Sequence, residues 1–371
     1  MSRIAIVLQT PRDPHSSVFL TYQALAAELN RRGHRTEILT PDDFPGAGAG
    51  RWTPIVYPWK IARWMRRQRG ALDLVAFHSF AGWLASATHA TSTVDVAVAF
   101  HGLEPLYHAQ LRIEAEASGG LSARYRFLQE QLMPRFLRAA CRGAARITCL
   151  NTAERDFLAD RGWAPASRIV TVGHGVGDEF FLDDTITRDR PLRSLLFVAQ
   201  WLPMKGIDAL RDAFTRLARR HDDLRLVCAG TLMPAAQVLS SFPSDVQPRI
   251  TVLPRVDRAR LAALYRDADA FLFPSSYEGF GLALVEAMAS RLPIVTTRVG
   301  VAADALTDRR SAMFVPPRDA AALAAAVEEL IGNPPLRAQL GEHAHAIAQA
   351  YREADRVRHW ADALTTIDRV S

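Results

Sequence analysis

Short apolar runs recur along this chain, and each is followed by a stretch with helical spacing. Ile4, Ala5, Ile6, Val7 and Leu8 stand in unbroken succession, which predicts a strand over 3–8 buried on both faces. Residues 17–32 place Phe19, Leu20, Leu25, Ala26 and Leu29 at helical intervals and stop at Gly33, which predicts a helix with one apolar face. Further strands are expected at 36–39, 72–77, 94–100, 146–150 and 169–172, with helical stretches between them. Residues 41–54, rich in proline and glycine, read as a mobile loop. Strand–helix–strand repetition with continuously apolar strands means a parallel sheet covered by helices.

The pattern breaks over 178–193, where the polar run from Asp183 to Pro191 reads as a linker. A second series follows, with strands expected at 194–198, 224–229, 250–253, 270–273 and 294–297 and alanine-rich helices at the end. The predicted class is α/β: two Rossmann-like, doubly wound domains, residues 1–185 and 190–351, facing each other across a cleft. A length of 371 residues is itself too great for one ordinary core. In doubly wound sheets, ligands bind at the carboxyl ends of the strands. Tandem domains of this kind also suit a periplasmic-type binding protein or a dehydrogenase, so architecture alone does not fix function. The dehydrogenase is disfavoured because no Gly-x-Gly-x-x-Gly turn follows the first strand.

Composition narrows the classes. Hydrophobic residues make up 49% and charged residues 23%, as in a soluble enzyme. No apolar run reaches the ~18–20 residues that span a bilayer. The opening residues read as a strand rather than a secretion signal, so a cytoplasmic location is expected. Cys141, Cys149 and Cys228 lack metal-ligand spacing and are expected to be reduced, mostly buried thiols. The net charge of +6 favours phosphates, nucleotides or anionic lipid surfaces as partners. Nucleic acid is not expected, because no aromatic-basic platform or recognition helix accompanies the charge. Only Lys60 and Lys205 among the 45 basic residues are lysine, which marks a retained lysine as a candidate for chemistry.

The densest motif runs Phe273-Pro274-Ser275-Ser276-Tyr277-Glu278-Gly279-Phe280-Gly281-Leu282-Ala283-Leu284-Val285-Glu286-Ala287-Met288-Ala289. It follows a strand and opens a helix. Gly279 and Gly281 allow a tight turn and close approach of backbone N–H groups, and the helix N-terminus beyond suits a diphosphate. Glu278 and Glu286 would reach different parts of one extended ligand, and carboxylates accept well from sugar hydroxyls. A plainer reading is a strand–loop–helix with two surface glutamates.

This segment resembles the Glu-x7-Glu motif of the retaining glycosyltransferases with two Rossmann-like domains, the GT-B fold, family 4. The resemblance implies that Glu286 holds the donor ribose. It also implies that Glu278 and the backbone of Gly279, Phe280, Gly281 and Leu282 contact the transferred sugar and phosphate. A second match is Phe197-Val198-Ala199-Gln200-Trp201-Leu202-Pro203-Met204-Lys205-Gly206. In the family this turn carries Gly-Arg ahead of Lys-Gly, and both cations neutralise the diphosphate. Lys205 is kept here, whereas Gln200 stands at the arginine position and brings no charge. Losing one charge-assisted contact costs about 1.5–3 kcal/mol unless another cation replaces it.

In the first domain, Phe100-His101-Gly102-Leu103-Glu104 is similar to the family's His-Gly-Leu-Glu segment, whose histidine lies near the reacting sugar. The stretches from Leu150 to Leu158 and from Gly173 to Val176 match family segments too, with Asn151 expected to cap a helix. His78 is a second strand-end histidine with no assigned role. The family's glycine pair after the first strand is replaced by His15-Ser16-Ser17, leaving Ser16, Ser17 and His101 as the acceptor-side candidates. As in relatives, the final helix, within 352–371, is expected to cross back to the first domain.

The implied reaction moves a hexose-type sugar from a nucleotide-diphosphate sugar, UDP- or GDP-linked, to an acceptor hydroxyl with retention. His101, Lys205 and Glu278 are its catalytic candidates. No cofactor is expected, and no metal either, since no Asp-x-Asp stands in a suitable loop. The acceptor is expected to be a glycan or lipid-linked molecule of cell-surface polysaccharide synthesis. Ile61, Trp64 and Met65 share one face of a helix beside Arg63, Arg66 and Arg67, which suits peripheral contact with the inner face of a membrane. The plainer alternative puts that apolar face in the core. Competing functions are a non-catalytic relative acting as a binding subunit, an epimerase, and a phosphorylase with lysine-bound pyridoxal phosphate.

Overall fold

A computed structural model of the chain describes residues 1–13, 16–47, 53–68, 70–88, 94–116, 120–182 and 190–366. The chain divides into two compact units, Met1–Gly173 with Asp355–Ser371, and His174–Ala354. Each is built on a six-stranded sheet whose pairs are all parallel. The proposed linker at 183–189 lies outside the described residues. Residues 174–182, placed in the first domain by sequence, pack within the second unit. Val176 pairs with Arg352, the Leu182 amide donates to Ala289, and the Phe180 carbonyl accepts from the Ser290 hydroxyl. The division therefore falls where the backbone bonds of the segment go, ahead of the polar run.

In the first unit the strands are β1 (Arg3–Val7), β2 (Arg35–Leu39), β3 (Leu74–His78), β4 (Asp95–Ala99), β5 (Arg146–Cys149) and β6 (Ile169–Thr171). They lie in the order β2-β1-β3-β4-β5-β6. The accompanying helices are α1 (Ser17–Arg31), α2 (Thr53–Arg67), α3 (Trp83–Ala87), α4 (Glu104–Glu116), α5 (Ala123–Arg126), α6 (Met133–Arg142) and α7 (Thr152–Asp160). A strand alternates its side chains between faces, and here both faces are covered. Ile4 and Ile6 of β1 join Ala76, Ala97 and Ala99 against Phe19, Tyr22, Leu25 and Leu29 of α1. Ala5 and Val7 point the other way and join Val75, Val96 and Val98 against Tyr57, Ile61 and Met65 of α2 and Leu137 of α6. The apolar face of α2 is thus core, and Arg63, Arg66 and Arg67 are exposed. Of the segment 41–54 expected as a loop, Pro41–Asp43 is a 3-10 turn closed by a capping box between Thr40 and Asp43, and α2 begins at Thr53.

In the second unit the strands are β7 (Ser194–Val198), β8 (Arg225–Ala229), β9 (Ile250–Leu253), β10 (Ala270–Phe273), β11 (Ile294–Thr296) and β12 (Met313–Phe314), in the order β12-β11-β10-β7-β8-β9. The two-residue β12 is too short to show as an apolar run. The helices are α8 (Ile207–Ala218), α9 (Ala235–Leu239), α10 (Arg258–Asp267), α11 (Leu282–Ala289), α12 (Val301–Ala305), α13 (Ala320–Gly332) and α14 (Pro334–Ala348). Leu195, Phe197, Leu226, Cys228 and Leu272 pack with α8 and α13 on one face. The last helix, α15 (Glu353–Thr365), sets Trp360, Ala361, Ala363 and Leu364 into the first unit's core beside α1. All three cysteines are buried free thiols.

Candidate active site

The second sheet reverses direction at one place. From β7 the chain moves outward to β8 and β9, then returns to lay β10 on the other side of β7. At such a switch point the loops after the two central strands diverge and leave room for a ligand. Lys205 follows β7 and Glu278 follows β10, so the topology puts 73 residues of sequence between two neighbouring loops.

Backbone contacts fix the loops to each other. The Ser276 amide donates to the Met204 carbonyl at 2.8 Å. Gly206, at φ +73°, lies so near Pro274 that any Cβ there would overlap the Pro274 carbonyl oxygen. Only glycine satisfies both the left-handed turn and this approach. Lys205 Nζ then reaches both carboxylate oxygens of Glu278, at 2.8 and 2.9 Å, and the Ser275 hydroxyl donates to Oε1 at 2.8 Å. The side chains are 20% and 9% exposed, so this is a largely desolvated ion pair. The resemblance implies lysine on phosphate and glutamate on sugar, and in the structure the two groups bond each other.

Past Gly279 and Phe280 the chain turns at Gly281, φ +97°, which caps α11. That helix is apolar on every side and buried, as such a pattern requires. Glu286 is its one charged residue and is only 8% exposed. Burial raises its carboxyl to about 7, against a hydrogen bond from Tyr265 and the charge of Arg258, which lower it, and with a small upward push from Glu179. The Tyr265 hydroxyl lies 2.9 Å from Glu286 Oε2. Arg258 is itself tied to Glu179 and, at 3.3 Å, to Glu353. Gln200 is exposed at the turn after β7, where its carbonyl accepts from the Leu202 amide. Its side chain makes no hydrogen bond among the described residues.

The first unit holds a separate group of candidates. His101 follows β4, and its ring lies 4.9 Å from Tyr22, 5.2 Å from His78 and 5.5 Å from Trp360. Burial lowers His78 to about 4, so it is neutral at physiological pH. Glu104 opens α4, accepts from the Ser79 hydroxyl, and is raised by burial. The loop between His101 and α4 is held by Glu154, fully buried in α7. Its Oε1 accepts from the Leu103 amide and its Oε2 from the Leu150 amide, both at 2.9 Å. Asn151 caps α7 by accepting from the Glu154 amide. Ser16 is the N-cap of α1 without a side-chain cap bond, and Ser17 is its first residue. His15 and the Ser17 side chain lie outside the described residues.

Ser275, Tyr265 and Glu154 are site-supporting residues that pattern reading did not assign. A buried tyrosine needs a partner for its hydroxyl, which is a weak signal for Tyr265. Nothing local ties Glu154 to a loop 51 residues away.

Two α/β units, each built on a parallel six-stranded sheet, match the GT-B class of glycosyltransferase folds. Solved structures agree. Sucrose-phosphate synthase from Thermosynechococcus elongatus has a TM-score of 0.75 at 18% identity, covering 98% of each chain. The Anabaena protein HepE in complex with UDP has a TM-score of 0.70 at 16% identity, covering 98% of this chain and all of that one. Residues 21–180 match the family model Glycosyltransferase Family 4, and residues 184–346 match Glycosyl transferases group 1. The chain belongs to this family of group 1, family 4-type glycosyltransferases. Alpha-D-kanosaminyltransferase of Streptomyces kanamyceticus is 27% identical over 226 residues, 57% of this chain and 58% of that protein. The chain spans about half the length of the curated relatives it matches.

Proposed function

We propose that this protein transfers a hexose-type sugar from a nucleotide-diphosphate sugar, UDP- or GDP-linked, to an acceptor hydroxyl with retention of configuration. The observation that carries the reading is the Lys205–Glu278–Ser275 cluster at the switch point, with Glu286 eight positions further on. The UDP bound to HepE supports a nucleotide diphosphate as the ligand class.

In this reading Glu286 accepts from the ribose hydroxyls, and the N-terminus of α11 beside Gly281 receives the diphosphate. A carboxylate and an ammonium 2.8 Å apart are preorganised for a ligand that carries both hydroxyls and negative charge. Lys205 turns from Glu278 to the departing phosphate. Glu278, still held by Ser275, accepts from the sugar. The acceptor hydroxyl bonds the anomeric carbon on the face from which the diphosphate departs and gives its proton to a leaving phosphate oxygen, so configuration is kept without a protein nucleophile. His101, Ser16 and Ser17 serve the acceptor. Transfer is expected to proceed without a metal ion or other cofactor, and loss of turnover in EDTA restored by Mg²⁺ would count against that.

The acceptor is taken to be a glycan or lipid-linked molecule of cell-surface polysaccharide synthesis, met on the cytoplasmic side. No helix among the described residues is long and apolar enough to cross a membrane. Peripheral contact would rest on the exposed Trp59, Arg63, Arg66 and Arg67 of α2, because Ile61 and Met65 are spent on the core. A non-catalytic role, which Gln200 would favour, is opposed by the intact Lys205, Glu278 and Glu286. The test is a calorimetric screen of UDP, GDP and ADP followed by turnover of the matching sugar conjugate. One nucleotide should bind, and Glu286→Ala should abolish its binding. Absence of binding by all three would overturn the reading.

A further inference from the structure

Tyr265, in α10, is fully buried, and burial holds its hydroxyl well above its ordinary pKa, so it stays protonated. Its oxygen is 2.9 Å from the Ala283 carbonyl oxygen and 2.9 Å from Glu286 Oε2. A phenol has one hydrogen to donate, and a carbonyl can only accept. Both approaches are full, linear hydrogen bonds at once when Glu286 carries a proton and donates it to Tyr265. With Glu286 ionised, the single hydrogen is divided between the two acceptors or serves one of them. The ring is packed edge-on against Phe180 at 5.7 Å and tilted against Phe271 at 5.6 Å, which holds the oxygen near both acceptors.

We propose that Tyr265 is a positioning residue for the donor nucleotide: its one hydroxyl hydrogen turns from the Ala283 carbonyl to Glu286 Oε2 when that carboxylate takes up a vicinal diol. The inference rests on the reading of Glu286 as the ribose-binding group. In the free protein the relay runs from the Glu286 acid to Tyr265 and from Tyr265 to Ala283. On binding, the Glu286 proton leaves to solvent and Tyr265 keeps its own hydrogen but redirects it. Glu286 then accepts from Tyr265 and from the ligand hydroxyls, and no covalent bond of the ligand changes.

The other charged groups acting on Glu286 are Arg258 of α10, which favours the ionised form, and Glu179 of the turn Asp178–Phe180, which opposes it. These two bond each other, so their influences largely offset. Burial keeps the proton on Glu286 up to about pH 7, inside the range where the relay matters.

The experiment is calorimetric titration of UDP into the wild type, Tyr265→Phe, Glu286→Gln and the double variant, from about pH 6 to about pH 8.5. GDP or ADP replaces UDP if it binds better. Wild-type affinity should rise with pH through about 7 and level off about one pH unit above it. Tyr265→Phe removes the acid's acceptor as well as the ionised form's donor, and the charge-assisted bond to the carboxylate is the stronger of the two, so its rising limb should move to higher pH. It should be several-fold weaker near neutrality and converge on the wild type at the alkaline end. Glu286→Gln should keep only the pH dependence of the ligand's own phosphate, and adding Tyr265→Phe to it should not alter that profile. A loss in Tyr265→Phe that is uniform across pH would mean that the hydroxyl only packs, and would overturn the inference while leaving the donor site standing. Failure of all three nucleotides to bind the wild type would overturn both.

Discussion

Breaking the Lys205–Glu278 pair tests whether the second unit's switch point is organised by charge before any ligand arrives. At 2.8 Å and an effective dielectric of about 20, the Coulomb attraction is about 6 kcal/mol. Most of that offsets the desolvation of two groups that are 20% and 9% exposed, leaving a net coupling of about 2 kcal/mol. The perturbation is a double-mutant cycle of Lys205→Met, Glu278→Gln and both together. Lys205→Met leaves a mostly buried carboxylate with the Ser275 hydroxyl as its partner among the described residues, so this single variant should be destabilised more than the double. For a unit of this size about 2 kcal/mol corresponds to ~4–8 °C in the melting transition of the second unit. Thermal unfolding followed by calorimetry at low and high salt reads it, and a buried pair should change little with salt. A coupling below about 0.5 kcal/mol, or one that vanishes in salt, would refute the argument, since the groups would then act as independent surface charges.

Other outcomes follow from the same geometry. Glu286 is raised from 4.5 to about 7, so the folded state binds its proton more tightly than the unfolded chain does. Its contribution is full below about pH 4.5 and is lost as pH rises through about 7, on the order of 3 kcal/mol. Glu286→Gln should therefore flatten the fall in melting temperature between those limits, and an unchanged slope would show that the carboxyl is not buried as described. Glu154→Gln turns an amide NH2 toward one of two backbone donors and should cost about 2–3 kcal/mol in the first unit. UDP affinity in the second unit should be untouched, and an equal loss there would show that the clamp also bears on the nucleotide site. Gly206→Ala should cost at least ~1–2 kcal/mol and weaken nucleotide binding, because the loop must back away from Pro274 and carry Lys205 with it. Melting temperature and UDP titration together check this.

Much of this protein is legible in its sequence, and the reasons are local. Strands buried on both faces must be apolar throughout, so β1, β3, β7 and β10 announce themselves within a residue or two of their observed ends. The Glu278–Glu286 segment is equally plain, since a glycine-bounded turn entering an all-apolar helix leaves its two carboxylates conspicuous. Backbone hydrogen bonding decided other points. Residues 174–182 belong with the second unit because their partners are Tyr351, Glu353, Ala289 and Ser290, all far away in sequence. The apolar stripe of α2 could have faced lipid or core, and packing against β1 and β3 selected the core.

The site's chemistry depended most on the tertiary structure. That Lys205 would meet Glu278 follows only from β10 returning beside β7, a choice of strand order that periodicity does not encode. The clamp of Glu154 on Leu103 and the contacts of the Tyr265 hydroxyl with Glu286 and Ala283 are likewise made between elements that only the fold brings together. Side-chain type and spacing determined which groups could react, because they set local geometry and charge. Proximity and burial determined what state those groups occupy, because desolvation and shared hydrogens are properties of neighbours brought together by the fold.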